Sequence, residues 1–583
     1  MKTTKLKKVG MVSSLAAMTA GMAITVFSLT AITAGVTMSA HADGFLSGIF
    51  GKSKGGAGFS ELISNVPADT SYIFANKKPI PDEVMKFHLS RGQKMMDMFS
   101  DIDKIKKNSA KTDTKGAGSF FEALFRDLGS KLDDKKFEET GLSLKASTMI
   151  YGYEMMPVLR LSFSDKEKIM ATLKRAEEVS GYKIELTKCG EFDCFIDPDE
   201  KSNKSAAIVI LGDHIAASAF SADQKEKMID HLTGKSKIEK PYDIKSWDAF
   251  LEKNKYSGFG DGYVNLKKIY KKNSPLIAMG MMGKVDSKEL EGCMAVAEEH
   301  ISNIPEIVFG TKALAEKNMD YELLFKTSSD VSSVLQGIAN KTNIAKRSEN
   351  AIFDFGLNIN FPKLRDALTQ YSNFLIKSGK TNNCSAIQAA KIRKSMGGMA
   401  MVMNMGLSQF KSIYGSISDL KMDKNNKPKD VEAMVSIGTD DPGGLIAMVG
   451  MMSPGLMGFK VPEDGSSVEL PKGVIPSKGV PLPPVFLSRS DKSLNIMVGN
   501  DKPKMKDYSS TTPEIMVFAL DGKRYYEKLT GILKTVPKAK VKDGKDAEAM
   551  KLIESMGGMA GLMTQEVFAD DRGLVMTYHV KYD

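Results

Sequence analysis

The hexapeptide Ser395-Met396-Gly397-Gly398-Met399-Ala400 recurs as Ser555-Met556-Gly557-Gly558-Met559-Ala560. Around the first copy, Ala389, Lys391, Ile392 and Met403 answer to Ala549, Lys551, Leu552 and Met563 around the second. Six identical residues inside a longer similar frame are hard to attribute to chance, so part of the chain reads as a duplication. That restricts the fold to one assembled from repeated units.

A looser repeat surrounds this one: an apolar strand runs into Asn or Asp and then into a basic amphipathic helix. The copies are Gly262-Tyr263-Val264-Asn265-Leu266-Lys267-Lys268, Leu357-Asn358-Ile359-Asn360-Phe361-Pro362-Lys363, and Val517-Phe518-Ala519-Leu520-Asp521-Gly522-Lys523. Ile73-Phe74-Ala75-Asn76-Lys77-Lys78-Pro79, with a helix after Pro81, makes a fourth. In each, the Asn or Asp offers an N-cap oxygen to unpaired backbone N–H groups, so this is helix-start chemistry and not a catalytic acid. Each copy closes on an alternating strand, at residues 157–163, 319–325, 431–437 and 573–582. Short hairpins at 207–218 and 485–498, with Asp213 or Asp491 near the turn, sit between the copies of each pair.

The expected fold is therefore α+β, with internally duplicated strand-helix-strand modules and mostly antiparallel sheets flanked by helices. The expected division is a signal segment over 1–42, a linker over 43–65, and two halves over 66–345 and 346–583. Polar loops are expected at 108–118 and 423–430, and a Pro- and Gly-rich stretch at 463–484. After the first loop, Phe121, Leu124, Phe125 and Leu128 fall at helix-face spacing.

Location follows from the start of the chain. Lys2, Lys5, Lys7 and Lys8 precede an uncharged tract from Val9 to Ala40, which ends at Ala40-His41-Ala42 before Asp43. Basic, apolar and small-residue regions in that order are what a signal peptidase reads, so cleavage after Ala42 is expected. The tract is also long enough to cross a bilayer, so a retained inner-membrane anchor facing the periplasm is the alternative. Either way the body of the protein is expected in the periplasm or outside the cell.

At 583 residues the chain exceeds one ordinary core. With 42% hydrophobic and 26% charged residues it has enough apolar surface to bury several. The net charge of +10 falls to +6 once the four leader lysines, which have no acid beside them, are removed. That excess lies in loops without the Arg and aromatic interleaving of a nucleic-acid groove, so no nucleic-acid partner is expected.

Four cysteines remain in an oxidising compartment: Cys189, Cys194, Cys293 and Cys384. An even count there suggests disulfides, with three pairings open. Cys189 and Cys194 bracket Gly190-Glu191-Phe192-Asp193 between β-prone runs at 182–186 and 195–196, which reads as a hairpin closed by its own bridge and leaves Cys293 for Cys384. No Cys spacing suits a metal.

Motif by motif, catalysis finds little support. Leu46-Ser47-Gly48-Ile49-Phe50-Gly51-Lys52-Ser53 has Leu46 where a phosphate loop needs Gly. Ser180-Gly181-Tyr182-Lys183 fits S-x-x-K without a K-T-G partner, and Gly415-Ser416-Ile417-Ser418-Asp419 lacks the second Gly of a nucleophile elbow. His88, His214, His231, His300 and His579 are scattered singly. Asp197-Pro198-Asp199-Glu200 and Asp423-Lys424-Asn425-Asn426 read as turns lacking the Gly and terminal Glu of a calcium loop. No catalytic, cofactor-binding or metal-ligating residue is assigned.

Methionine is abundant, 38 in all, and concentrated at 279–282, 396–405, 448–457 and 550–563. Thioether sulfur could hold Cu(I), or line an apolar groove. In a helix, however, Met396, Met399 and Met403 form one stripe and Met401 and Met405 project nearly opposite, which describes a buried helix packed by an adaptable side chain.

Val66-Pro67-Ala68-Asp69-Thr70-Ser71-Tyr72-Ile73-Phe74-Ala75-Asn76 followed by Pro79, Val158-Leu159-Arg160-Leu161 before Asp165, and Ser436-Ile437-Gly438-Thr439-Asp440-Asp441-Pro442 together carry a resemblance. They resemble exported bacterial proteins grouped only as a domain of unknown function. The resemblance spans much of the mature chain and implies an extracytoplasmic location and an α+β build, with no functional residue carried over. The functional expectation is an exported, non-enzymatic envelope protein that binds a partner or an apolar ligand through an inter-half cleft or surface. The alternative is a periplasmic hydrolase whose site is assembled only in three dimensions.

Overall fold

The structure is a computed structural model. It describes residues 58–79, 146–199, 204–272, 301–340, 351–379, 410–422, 428–471, 483–499, 514–534 and 561–582, apart from 155, 453 and 457, with a few isolated residues between these runs. The signal segment, both hexapeptides, the methionines at 279–282 and 396–405, Cys293, Cys384, His88, His300 and the 108–118 loop lie outside the described residues.

In the first half the strands are β1 (Tyr72–Asn76), β2 (Thr148–Tyr153), β3 (Met156–Ser162), β4 (Leu186–Cys189), β5 (Phe192–Asp199), β6 (Lys204–Ile210), β7 (His214–Ser221), β8 (Asp261–Asn265), β9 (Glu306–Ala315) and β10 (Asn318–Lys326). Its helices are α1 (Phe59–Ile63), α2 (Lys166–Ser180), α3 (Lys225–Leu232), α4 (Ile244–Asn254) and α5 (Ser329–Ile338). The second half contributes β11 (Arg347–Ser348), β12 (Phe353–Leu357), β13 (Phe410–Met422), β14 (Pro428–Thr439), β15 (Val468–Glu469), β16 (Val485–Arg489), β17 (Ser493–Val498), β18 (Met505–Lys506), β19 (Glu514–Asp521), β20 (Leu562–Asp570) and β21 (Gly573–Lys581). Its helices are α6 (Phe361–Gly379), α7 (Pro442–Met452) and α8 (Gly522–Lys534).

Nineteen of these strands form one sheet, and every described pairing is antiparallel. Across the first half the order is β4-β5-β6-β7-β3-β2-β1-β8-β9-β10. β10 then pairs with β21 from Asn318↔Lys581 to Lys326↔Gly573. The order continues β21-β20-β19-β12-β13-β14-β17-β16-β15. The halves are thus joined as neighbouring strands, and β11 with β18 makes a separate two-residue ribbon.

Alternation along the strands gives the sheet two apolar faces. One carries Ile73, Ala75, Met149, Tyr151, Val158, Val209 and Ala216 and packs against α1, α3 and α4. The other carries Leu161 and Ile210 against Ile169, Leu173 and Ala176 of α2. Those α2 residues, with Thr172, follow i, i+3, i+4, i+7 spacing, Asp165 caps the helix by accepting from Lys168 N at 3.1 Å, and Gly181 ends it in the left-handed conformation. In α4, Trp247 is fully buried against Phe59 and Phe250, at centroid distances of 6.1 and 5.0 Å. α1 is too short to be a helix alone and is held by burial of Phe59, Leu62 and Ile63, each contributing about 1.5–3 kcal/mol.

Three of the four expected helix starts form as the sequence indicates. Asn265, Asn360 and Asp521 accept from the backbone N–H of Lys268, Lys363 and Arg524 at 2.8, 3.1 and 3.0 Å. The fourth differs: Asn76 accepts from Gly260 N at 2.6 Å, because helical residues begin only near 83, beyond its reach. Two further expectations are corrected. Residues 182–185 are not strand, since β4 starts at Leu186, and Asp197-Pro198-Asp199 are not a turn but the end of β5, paired with Ala206, Ser205 and Lys204. Pro198 is tolerated because β4 stops pairing at Phe195 and leaves that flank open.

The Cys189–Cys194 bridge is present, with Cα atoms 5.8 Å apart, and closes the β4–β5 hairpin through Gly190 at φ 67°. Replacing both cysteines with alanine is expected to lower the unfolding free energy by about 2 kcal/mol, the loop-closure value for so short a ring. Urea unfolding checks this, and an unchanged midpoint would count against it. The methionine expectation holds only in part among the described residues: Met448 packs on the core formed by Leu445, Leu494 and Phe410, whereas Met451 is 75% exposed.

Candidate functional site

Arg160 stands in the middle of an otherwise apolar strand, and its side chain is one of the largest fully buried in the protein. β3 lies between β2 and β7, so Arg160 has Met149 and Ala216 as strand neighbours and shares its face with Tyr151 and His214. The helix α3 crosses above and supplies His231.

The hydrogen bonds have a determinable direction. Arg160 donates from Nε to the Tyr151 hydroxyl at 3.1 Å, from Nη1 to His214 Nε2 at 2.8 Å, and from Nη2 to the His231 carbonyl at 3.1 Å. A guanidinium only donates, so His214 Nε2 accepts and its Nδ1 carries the proton given to Asp213 Oδ1 at 2.7 Å. The Tyr151 hydroxyl also shares a hydrogen bond with His231 Nε2 at 2.8 Å. His214 is therefore neutral. The Tyr153 ring stacks on His231 at a 3.6 Å centroid distance and 2° between planes.

Electrostatics agree with this assignment. Burial, and then the Arg160 charge, push the His231 pKa down to about 3. His214 is lowered by the same two causes, against the opposing pull of Asp213. Burial raises Tyr151, with Arg160 opposing. At the surface end, Glu61 of α1 is raised chiefly by the neighbouring Asp213 charge. The chain Asp213–His214–Arg160–Tyr151–His231 therefore reaches solvent only at Asp213, and it ties α3 to three strands. Among its members no nucleophile faces an open site.

A second acidic group is buried at Asp261 in β8. Its Oδ1 accepts from Thr311 N at 2.9 Å. Burial pushes its pKa up to about 7, offset only in part by the backbone N–H groups of Thr311, Phe259 and Gly258.

The other sequence candidates take structural places. Ser180 ends α2, donating to the Glu177 carbonyl at 3.1 Å and accepting from Tyr182 N at 3.2 Å. Gly415 to Asp419 lie within β13, and His579 is exposed beside Asp320 at 2.9 Å. Spacing alone gave His214 and His231 no partner, and the legible signal was Arg160 itself, a charge inside Val158-Leu159-Arg160-Leu161. Among the described residues no group of three or more His, Cys, Asp or Glu side chains could hold a metal. A shallow hollow of about 240 Å³, lined by Met170, Leu173, Ile184 and Leu186, lies between α2 and the 184–186 segment, within the first half. No described helix is long and apolar enough to cross a membrane. Comparison of the chain with protein-family models, curated proteins and solved structures gives no match.

Proposed function

We propose that the chain is an exported, non-enzymatic envelope protein, built by internal duplication, that binds a partner or an apolar ligand through its surface or where its halves meet. The observation that carries this reading is that the buried base and phenol groups around Arg160 bind one another and that the network meets solvent only at the Asp213 carboxylate. Catalysis needs such groups to face a substrate. The Cys189–Cys194 bridge supports an oxidising compartment, and thereby the periplasm.

Support for the duplication comes from the pairing itself. Outward from the join, β10-β9-β8-β1-β2-β3-β7-β6 and β21-β20-β19-β12-β13-β14-β17-β16 follow the same order. The register agrees as well: Met149↔Arg160↔Ala216 in one half stands where Tyr414↔Ser436↔Asn495 stands in the other. By that correspondence Tyr151, Arg160 and His214 match Ser416, Ser436 and Ser493. The charged network is thus exchanged for a small one in which Ser436 Oγ donates to Asn495 Oδ1 at 2.7 Å.

Native mass spectrometry of protein taken from the periplasm tests the proposal. A species lacking residues 1–42, oxidised at Cys189, Cys194, Cys293 and Cys384, retaining a bound apolar mass or a protein partner, and inert toward ester and peptide substrates is the expected result. Turnover that tracks the purified protein, together with labelling of a single serine by a fluorophosphonate, would establish the hydrolase instead.

A further inference from the structure

Glu322 sits at the centre of β10, opposite Thr577 of β21, and is 3% exposed. A carboxylate so placed requires several partners, and they come from both halves. From the first half, Lys312 of β9 approaches Oε1 at 3.0 Å, and the Tyr256 hydroxyl donates to the same oxygen at 3.0 Å. From the second half, Arg572 in the β20–β21 turn donates to Oε1 at 3.3 Å and Oε2 at 3.1 Å. Asp570 holds that guanidinium from behind, accepting at 2.9 and 2.8 Å.

The backbone brings Arg572 there. Gly573, at φ 140°, lets the turn lie against β10, where a Cβ would come within 2.1 Å of the Phe325 carbonyl oxygen. Thr327 N donates to the Arg572 carbonyl at 3.1 Å, and Ser332 Oγ of α5 donates to the Asp571 carbonyl at 3.4 Å. Burial opposes the Arg572 charge, yet the Asp570 and Glu322 carboxylates outweigh it and raise its pKa above the ordinary value. On the opposite face the join is backed by Leu323, Val567 and Met576.

We infer that Glu322 and Arg572 form a latch across the β10–β21 join, so that the integrity of the join depends on one buried carboxylate gripped from both halves. Leu323, Val567 and Met576 form a cluster of their own at the join, and Leu324 and Val575, on the Glu322 face, belong to the first-half core; the Arg572 contacts are the buried charged bonds that cross from one half to the other. Breaking the grip therefore loosens the join before it loosens either half.

Hydrogen exchange on the full chain tests this. In Arg572→Gln, whose altered side chain is partly exposed, the amides of 318–326 and 573–581 are expected to exchange on the order of 10²-fold faster, while those of β6 and β7 keep their wild-type rates. Glu322→Gln, which keeps the shape and removes the charge, is expected to give the same local pattern. Unchanged exchange at the join would overturn the latch, and so would an equal acceleration throughout both halves, which would make the contact a general contributor to stability.

Discussion

Arg160→Ala is expected to lower the unfolding free energy by about 3–5 kcal/mol, the largest loss from any single substitution considered for this protein. The Tyr151 hydroxyl, His214 Nε2 and the His231 carbonyl each lose a charge-assisted donor, and all three are sealed from water that could replace it. A cavity the size of the guanidinium stem adds to the cost. Arg160→Met fills much of that volume and removes the buried charge, so its loss is expected to be smaller than that of the alanine variant. Urea unfolding of both variants decides the matter: a loss below about 1 kcal/mol for alanine would mean that solvent or side-chain rearrangement satisfies the abandoned groups.

The second expectation concerns pH, where two buried groups act in opposite directions. Asp261 titrates at about 7 in the folded protein against 3.8 for an unperturbed carboxyl. Its folded form holds the proton more tightly. Its contribution is therefore complete below pH 3.8 and is lost as pH rises toward 7, to a limit of about 4 kcal/mol at 1.36 kcal/mol per unit. His231 titrates at about 3 against 6.5. Its folded form rejects the proton, so its contribution is complete above pH 6.5 and is lost as pH falls toward 3, to a limit of about 5 kcal/mol.

Between pH 3.8 and 6.5 the two slopes oppose each other, and His214, lowered in the same direction, adds to the His231 side. Removing one group exposes the other. Relative to wild type, Asp261→Asn is expected to gain stability progressively from pH 4 to pH 7, and His231→Phe to gain it progressively from pH 6.5 down to pH 3. Melting temperatures of the three proteins across that range give the two difference curves directly. Parallel curves for wild type and either variant would show that the corresponding group titrates normally.

Much of the fold was legible because strand alternation and helix capping are local. Asn265, Asn360 and Asp521 cap where their sequence neighbours imply, and the hairpins at 207–218 and 485–498 form as β6–β7 and β16–β17. The failures are places where a distant segment competes. Asn76 is claimed by Gly260, 184 residues away, and the tail of β5 is claimed by β6. Of the Arg160 network only Arg160 itself, a charge within an apolar run, was legible; its partners were not. Its members lie on β2, β3, β7 and α3, and only sheet order brings a tyrosine and two histidines onto one arginine. The same applies to Glu322, whose partner Arg572 is 250 residues distant.

Sheet order also bears on how the molecule behaves in a crowded compartment. Antiparallel ladders left open at their margins recruit other chains and seed fibrils. Among the described residues the margins of this long sheet are β4, four residues carrying Lys188, and β15, only two. Each margin strand is too short to template a long ladder by itself, so end-to-end pairing through β4 or β15 would be confined to a few residues.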